Sequence, residues 1–86
     1  MRVEGDSMVR AGIHNGDIVV VDRAVSPTNG RIVVAAVDGD FAIKRLRYRD
    51  GGCFLESENP TFAPIPVTEH SENRVWGVVT NVIHKL

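Results

Sequence analysis

The feature that most limits the fold of this chain is the Asp38-Gly39 step between two apolar runs, residues 31–37 and 41–48. Asp and Gly both tolerate the positive φ of a type I′ turn, and the runs beside them are rich in β-branched residues. The segment therefore predicts a tight antiparallel hairpin. The rest of the chain repeats the pattern of short apolar bursts parted by Gly, Asp, Asn and Pro. Ile18-Val19-Val20-Val21 follows the turn-forming Asn15-Gly16-Asp17, and residues 31–37 are entered from Ser26-Pro27-Thr28-Asn29-Gly30. Cys53-Phe54-Leu55-Glu56 follows Asp50-Gly51-Gly52, and a last strand is expected over residues 74–83. Pro60, Pro64 and Pro66 mark a loop between them, where a regular central strand cannot continue. Only residues 7–13 suit a helix, and Gly12 limits it to a turn or two. With 86 residues there is room for one core. The expectation is a mainly β fold, a small single domain of curled β-hairpins over residues 1–86, with no internal repeat or linker to divide it.

Composition removes several classes of function. At 43% hydrophobic and 24% charged residues the chain is globular in character, not disordered. Ten basic against eleven acidic residues leave a net charge of −1, so no positive excess is present to grip phosphates, and direct nucleic-acid binding is not expected. A small β-barrel RNA binder would also need an aromatic stacking platform, which 6% aromatics do not offer. No apolar run is long enough to span a bilayer and no signal peptide opens the chain, so no membrane attachment is expected. Cys53 is the sole cysteine, which rules out an intrachain disulfide and, with the missing signal peptide, points to a reducing cytoplasm. His14, His70 and His84 are scattered, with no short ligand pair among them or with Cys53. They read as surface or loop residues, and neither metal nor another cofactor is expected.

One charged residue falls on an apolar face. Alternate residues of a strand share a face, so Ala42, Lys44, Leu46 and Tyr48 point one way, while Phe41, Ile43, Arg45, Arg47 and Arg49 point the other. If Asp38-Gly39 forms a two-residue turn, Lys44 lies opposite Val33 and Ala42 opposite Ala35. The face around Lys44 is then Val33, Ala35, Val37, Ala42 and Leu46. A lysine held among such neighbours loses hydration, its pKa falls, and a neutral amine near pH 7 can serve as a general base. The commoner use of such a residue is snorkelling, with the stem on apolar surface and the charge in water. Periodicity does not choose between them.

Ser7 lies in Glu4-Gly5-Asp6-Ser7-Met8, where Gly5 permits a tight backbone and the following residues can begin a helical turn. Such a site exposes the hydroxyl and can aim backbone N–H groups at an oxyanion. A serine there becomes a nucleophile only beside a base, and Gly-Asp-Ser on its own is more often a plain turn or an N-cap. A Ser-His-Asp triad is the competing arrangement, drawing on one histidine and Asp6, Asp17, Asp22, Asp38 or Asp40. Nothing in the sequence favours a particular histidine, and it ranks below Ser7 with Lys44.

Taken together, the residues resemble the LexA/UmuD/phage-repressor family of self-cleaving Ser-Lys peptidases of the SOS response. The resemblance is carried by Val3-Glu4-Gly5-Asp6-Ser7-Met8, by Gly16-Asp17-Ile18-Val19-Val20-Val21-Asp22, and by Gly30-Arg31-Ile32-Val33-Val34-Ala35-Ala36-Val37-Asp38-Gly39. Phe41-Ala42-Ile43-Lys44-Arg45-Leu46, Leu55-Glu56-Ser57-Glu58-Asn59-Pro60 and Val75-Trp76-Gly77-Val78-Val79 complete it in one order along nearly the whole chain. Ala35-Ala36-Val37-Asp38-Gly39 looks like the UmuD-type members in particular, with LexA-like and phage-repressor parents as alternatives. The resemblance implies a LexA/signal-peptidase-like fold with Ser7 as nucleophile, Lys44 as base, and an oxyanion hole of backbone amides at Ser7 and Met8. It also implies cleavage of the protein's own N-terminal arm, stimulated by a RecA–single-stranded-DNA filament. The product would join a Y-family polymerase subunit, UmuC-like, in error-prone translesion synthesis.

The chain departs from that family in one respect. Six residues precede Ser7, whereas family members carry a longer arm with the cleavage site, so the chain is expected to be the core of a longer protein. The last strand, residues 75–83, is apolar on both faces. It is expected to present a free edge through which two copies form a homodimer. The alternative to a peptidase is a non-catalytic dimerisation and docking module of the same fold.

Overall fold

The turn signals are realised in the computed structural model, which describes residues 1–68 and 71–86. Six strands form: β1 (Ile18–Asp22), β2 (Ile32–Val37), β3 (Asp40–Arg49), β4 (Gly52–Glu56), β5 (Ile65–Val67) and β6 (Arg74–Ile83), with one 3-10 turn at Val9–Ala11. They make a single antiparallel sheet in the order β1-β6-β2-β3-β4-β5, the mainly β domain that the sequence predicts. Asp38 (φ 51°) and Gly39 (φ 86°) both take the left-handed conformation that a type I′ turn requires, between the paired residues Val37 and Asp40. The resulting register sets Lys44 opposite Val33 and Ala42 opposite Ala35, as expected from a two-residue turn. Asp50 (φ 51°) and Gly51 (φ 74°) repeat the device between β3 and β4.

Strand alternation gives the sheet two buried faces. Val33 and Val34 are chain neighbours on β2 and therefore point to opposite sides. Val34 packs with Val3, Met8, Ile13, Val19, Ile43 and Val79, so the N-terminal segment lies across that face. Val33 packs with Ala35, Leu46, Leu55 and Val78, with Val25, Ile65 and Val67 against them. Register shifts at Val20/Val21 of β1 and at Val34/Ala35 of β2, both against β6, bend the sheet as bulges do.

Two expectations change. Pro66, assigned to a loop, sits inside the short strand β5, opposite Phe54 of β4. The reason is that β5 is an edge strand, where a missing N–H leaves no ladder bond unmade. The last strand is not a sheet edge. Arg74 to Val78 pair with β2, and Val78 to Ile83 pair with β1, which returns from early in the chain to flank it. The two edges are β1 and β5.

Candidate active site

Ser7 stands in a turn that the core fixes from below. Gly5 (φ 84°) bends the chain and its N–H donates to Asn15 Oδ1 at 3.0 Å. Beyond Ser7, the N–H of Val9 reaches Asp6 O (3.4 Å), that of Ala11 reaches Met8 O (3.0 Å), and that of Gly12 reaches Val9 O (3.0 Å). Left-handed Gly12 (φ 79°) then ends the turn. Met8 and Ile13 are buried and anchor the turn, leaving Ser7 half-buried on a cleft lined by Arg2, Glu4, Gly5, Ala42 and Ile43. The amides of Ser7 and Met8 lie outside the turn's own backbone bonds among the described residues, as an oxyanion hole needs.

Lys44 is buried, with 7% of its surface exposed, on the face of Val33, Ala35 and Leu46. Snorkelling is therefore not what it does. Loss of hydration holds its amine below the ordinary lysine pKa. The Nζ donates to Ser57 Oγ at 2.6 Å and lies 5.2 Å from the centre of the Phe62 ring. The register explains the contact. The β3–β4 ladder pairs Leu46 with Leu55 and Arg45 with Glu56, so the next cross-strand step sets Lys44 beside Ser57, just past the end of β4.

The residues after Ser57 run against the Ser7 turn. The Glu58 N–H points at Met8 Sδ (3.4 Å), Glu58 O accepts from the Arg10 N–H (3.0 Å), and Asn59 Nδ2 donates to Asp6 O (3.0 Å). The Glu58 carboxylate is held by Arg45 Nε at 2.5 Å, and Arg45 Nη1 donates to Gly30 O at 2.7 Å. Residues 57–59 thus form a strap with Lys44 tied to one end and the Ser7 turn to the other. No hydrogen bond joins Ser7 to Lys44 directly among the described residues; the strap connects them. Sequence reasoning placed Ser57 inside a motif and gave it no role. Counting antiparallel register outward from Asp50-Gly51 would have paired it with Lys44.

His84 Nδ1 lies 2.7 Å from Asp17 Oδ1, and Asp17 Oδ2 accepts the His14 N–H at 2.8 Å. Asp17 is buried. The His14 N–H first, and His84 second, hold its carboxyl below the usual aspartate pKa. His14 and His84 are exposed, their rings meeting edge-on at 5.9 Å. Of the triad combinations, this aspartate–histidine pair is one the structure forms. It ties the end of β6 to the loop before β1, and among the described residues no serine is hydrogen-bonded to His84. His70 lies outside the described residues. Among the described residues no three His, Cys, Asp or Glu side chains gather as a metal site would require, and no helix is long and apolar enough to cross a membrane.

Comparison with known proteins bears on what this geometry serves. Residues 1–80 match the Peptidase S24-like family. The chain belongs to that family. Among Peptidase S24-like relatives, it is similar to Protein ImpA of Salmonella typhimurium, with 45% identity over 87 residues that take in 99% of this chain and 57% of that protein. It is 51% identical over 86 residues to the LexA repressor of Frankia alni, covering all of this chain and 33% of the repressor. Protein SamA of Salmonella typhimurium is 42% identical over 85 residues, 99% of this chain and 58% of its own length. The chain therefore spans a little over half of ImpA and SamA and a third of the LexA repressor. The shared portion is the Peptidase S24-like domain, in which Ser7, Lys44 and the strap all lie.

Proposed function

We propose that this chain is the serine–lysine autopeptidase domain of a UmuD-like SOS-response protein. The observation that supports the reading is a buried lysine, Lys44, whose amine is held by the Ser57 hydroxyl, in a segment whose next two residues bond the turn that carries Ser7. In the proposed reaction Ser7 Oγ attacks a peptide carbonyl while neutral Lys44 takes its proton. The tetrahedral oxyanion is met by the amides of Ser7 and Met8. Lys44 then gives the proton to the leaving amine, and water, activated by Lys44, hydrolyses the Ser7 ester. The scissile bond belongs to the protein's own N-terminal arm, cleavage is stimulated in the cytoplasm by a RecA–single-stranded-DNA filament, and the trimmed product joins a UmuC-like Y-family polymerase subunit in translesion synthesis. Similarity to Protein ImpA favours this parent, and similarity to the LexA repressor supports the alternative, a repressor of the same family.

A homodimer is part of the proposal, and a specific surface supports it. Ile18 and Val20 of β1 and Val82 and Ile83 of β6 are exposed, as are Phe41 and Trp76, whose rings meet at 5.6 Å. With β6 paired on both sides, association uses these faces and not a free β6 edge. The same surface is what a non-catalytic docking module would use.

The test is self-cleavage of the full-length natural gene product, followed on gels with activated RecA filament, beside Ser7→Ala and Lys44→Ala. Loss of cleavage in both variants, with wild type active, is expected. Cleavage that survives either substitution, or a wild type that stays intact, contradicts the proposal.

A further inference from the structure

Ser57 lies outside the dyad, yet it is the residue that holds the lysine. We propose that Ser57 is a positioning residue for Lys44: its hydroxyl pins the amine to the strap that also clamps the Ser7 turn. The inference rests on the peptidase reading and adds a residue to it.

Three observations carry it. First, a lysine stem has four flexible bonds, and apolar packing around Val33 and Leu46 fixes the stem but not the terminal nitrogen. The 2.6 Å bond to Ser57 Oγ fixes that atom. Second, a neutral amine has two N–H groups and one lone pair. One N–H given to Ser57 leaves the lone pair free to accept a proton, and the same bond persists once the amine is protonated, so the base keeps its place during proton transfer. Third, the partner is uncharged. The carboxylates flanking it are engaged by guanidinium groups: Glu56 with Arg47 (3.6 Å) and Arg49 (2.6 Å), Glu58 with Arg45. Among the described residues the amine also faces the Phe62 ring. A carboxylate at position 57 would instead lock the amine as an ammonium and remove the base.

The strap makes Ser57 more than a local anchor. Ser57, the backbone of Glu58 and the side chain of Asn59 act in consecutive residues on Lys44, on Met8 and Arg10, and on Asp6. Lys44 and the turn that carries Ser7 are thereby both tied to three residues of one short segment.

Lys85 is the other lysine in the chain, so 13Cε-lysine NMR gives two signals, assigned with Lys85→Arg. A hydrogen bond to a neutral acceptor favours the ammonium, so Ser57→Ala should shift the Lys44 titration to lower pH, Ser57→Thr should restore it, and Ser57→Asp should raise it. In the full-length product, Ser57→Ala should lower the plateau rate of self-cleavage at high pH roughly 3- to 10-fold, the loss of one hydrogen bond, and shift the rate–pH midpoint the same way. Ser57→Thr should recover most of the rate. An unmoved Lys44 titration in Ser57→Ala overturns the inference, as does a higher plateau rate, which would mean that Ser57 sequesters the base. A wild type that never cleaves, with the NMR shift still present, sinks the peptidase reading and leaves Ser57 a structural contact only.

Discussion

At the scale of single residues, Lys44 is where stability and the proposed chemistry oppose each other. Its pKa in the fold lies below the ordinary lysine value of 10.5 that it regains on unfolding. Between those two values the unfolded chain binds more protons than the folded one, so stability rises with pH across that window. At neutral pH, below or within it, burial of the amine works against the fold. Lys44→Met fills the same space without the charge and is expected to stabilise the domain by about 1 kcal/mol near neutral pH. The gain should shrink as pH approaches 10.5, where unfolded lysine also loses its proton. Urea unfolding of the two proteins across that range measures it, and a Lys44→Met variant less stable than wild type at neutral pH would contradict the assignment. Ser57 belongs to the same scale. Its pairing with Lys44 could be counted from the Asp50-Gly51 turn but carried no other signal, because serine is not hydrophobic and lies one residue beyond the strand whose register places it.

Among the elements, the two hairpins made most of the fold legible. Asp38-Gly39 and Asp50-Gly51 each fix a register, and a fixed register decides which residues share a face. That is how the setting of Lys44 among Val33, Ala35 and Leu46 could be anticipated. What stayed hidden was non-local. The pairing of β1 with β6 joins residues from opposite ends of the chain, and no turn chemistry announces it. Without it, β6 reads as an edge, and β5 reads as loop because its proline hides an edge strand. The β1–β6 contact is also tight. A Cβ on Gly77 would lie 2.6 Å from Val21 Cγ1, in the bulged part of the pairing. Gly77→Ala is therefore expected to cost about 1–3 kcal/mol through overpacking. Val21→Ala in the same chain should recover part of that loss, since it removes the opposing methyl groups. Equal destabilisation in single and double variants would show that the strain lies elsewhere.

For the whole molecule, the chain closes on itself through Asp17 and His84, which tie the end of the last strand to the loop before the first. The folded-state pKa of Asp17 is depressed, so the carboxylate stabilises the fold above the ordinary aspartate range. That contribution is lost as pH falls through the lower, folded value. The melting temperature of wild type should drop on acidification through this window, and Asp17→Asn should flatten that part of the curve while lowering stability at neutral pH. An unchanged acid limb in the variant would remove Asp17 from the account. The sequence showed Asp17 as a turn former and as one of five aspartates open to a triad; its pairing with His84 stayed hidden because that partner lies at the far end of the chain.

The central claim is that Ser7 is activated by Lys44, whose amine burial makes easier to deprotonate. The most direct measurement is the rate of self-cleavage of the full-length gene product against pH. The expected curve rises to a plateau with a midpoint below 10.5 and vanishes in both Ser7→Ala and Lys44→Ala. A rate that ignores pH would contradict it, and so would a midpoint in the histidine range near ~6.5 that is lost in His84→Ala, which would put the Ser-His-Asp arrangement ahead of it.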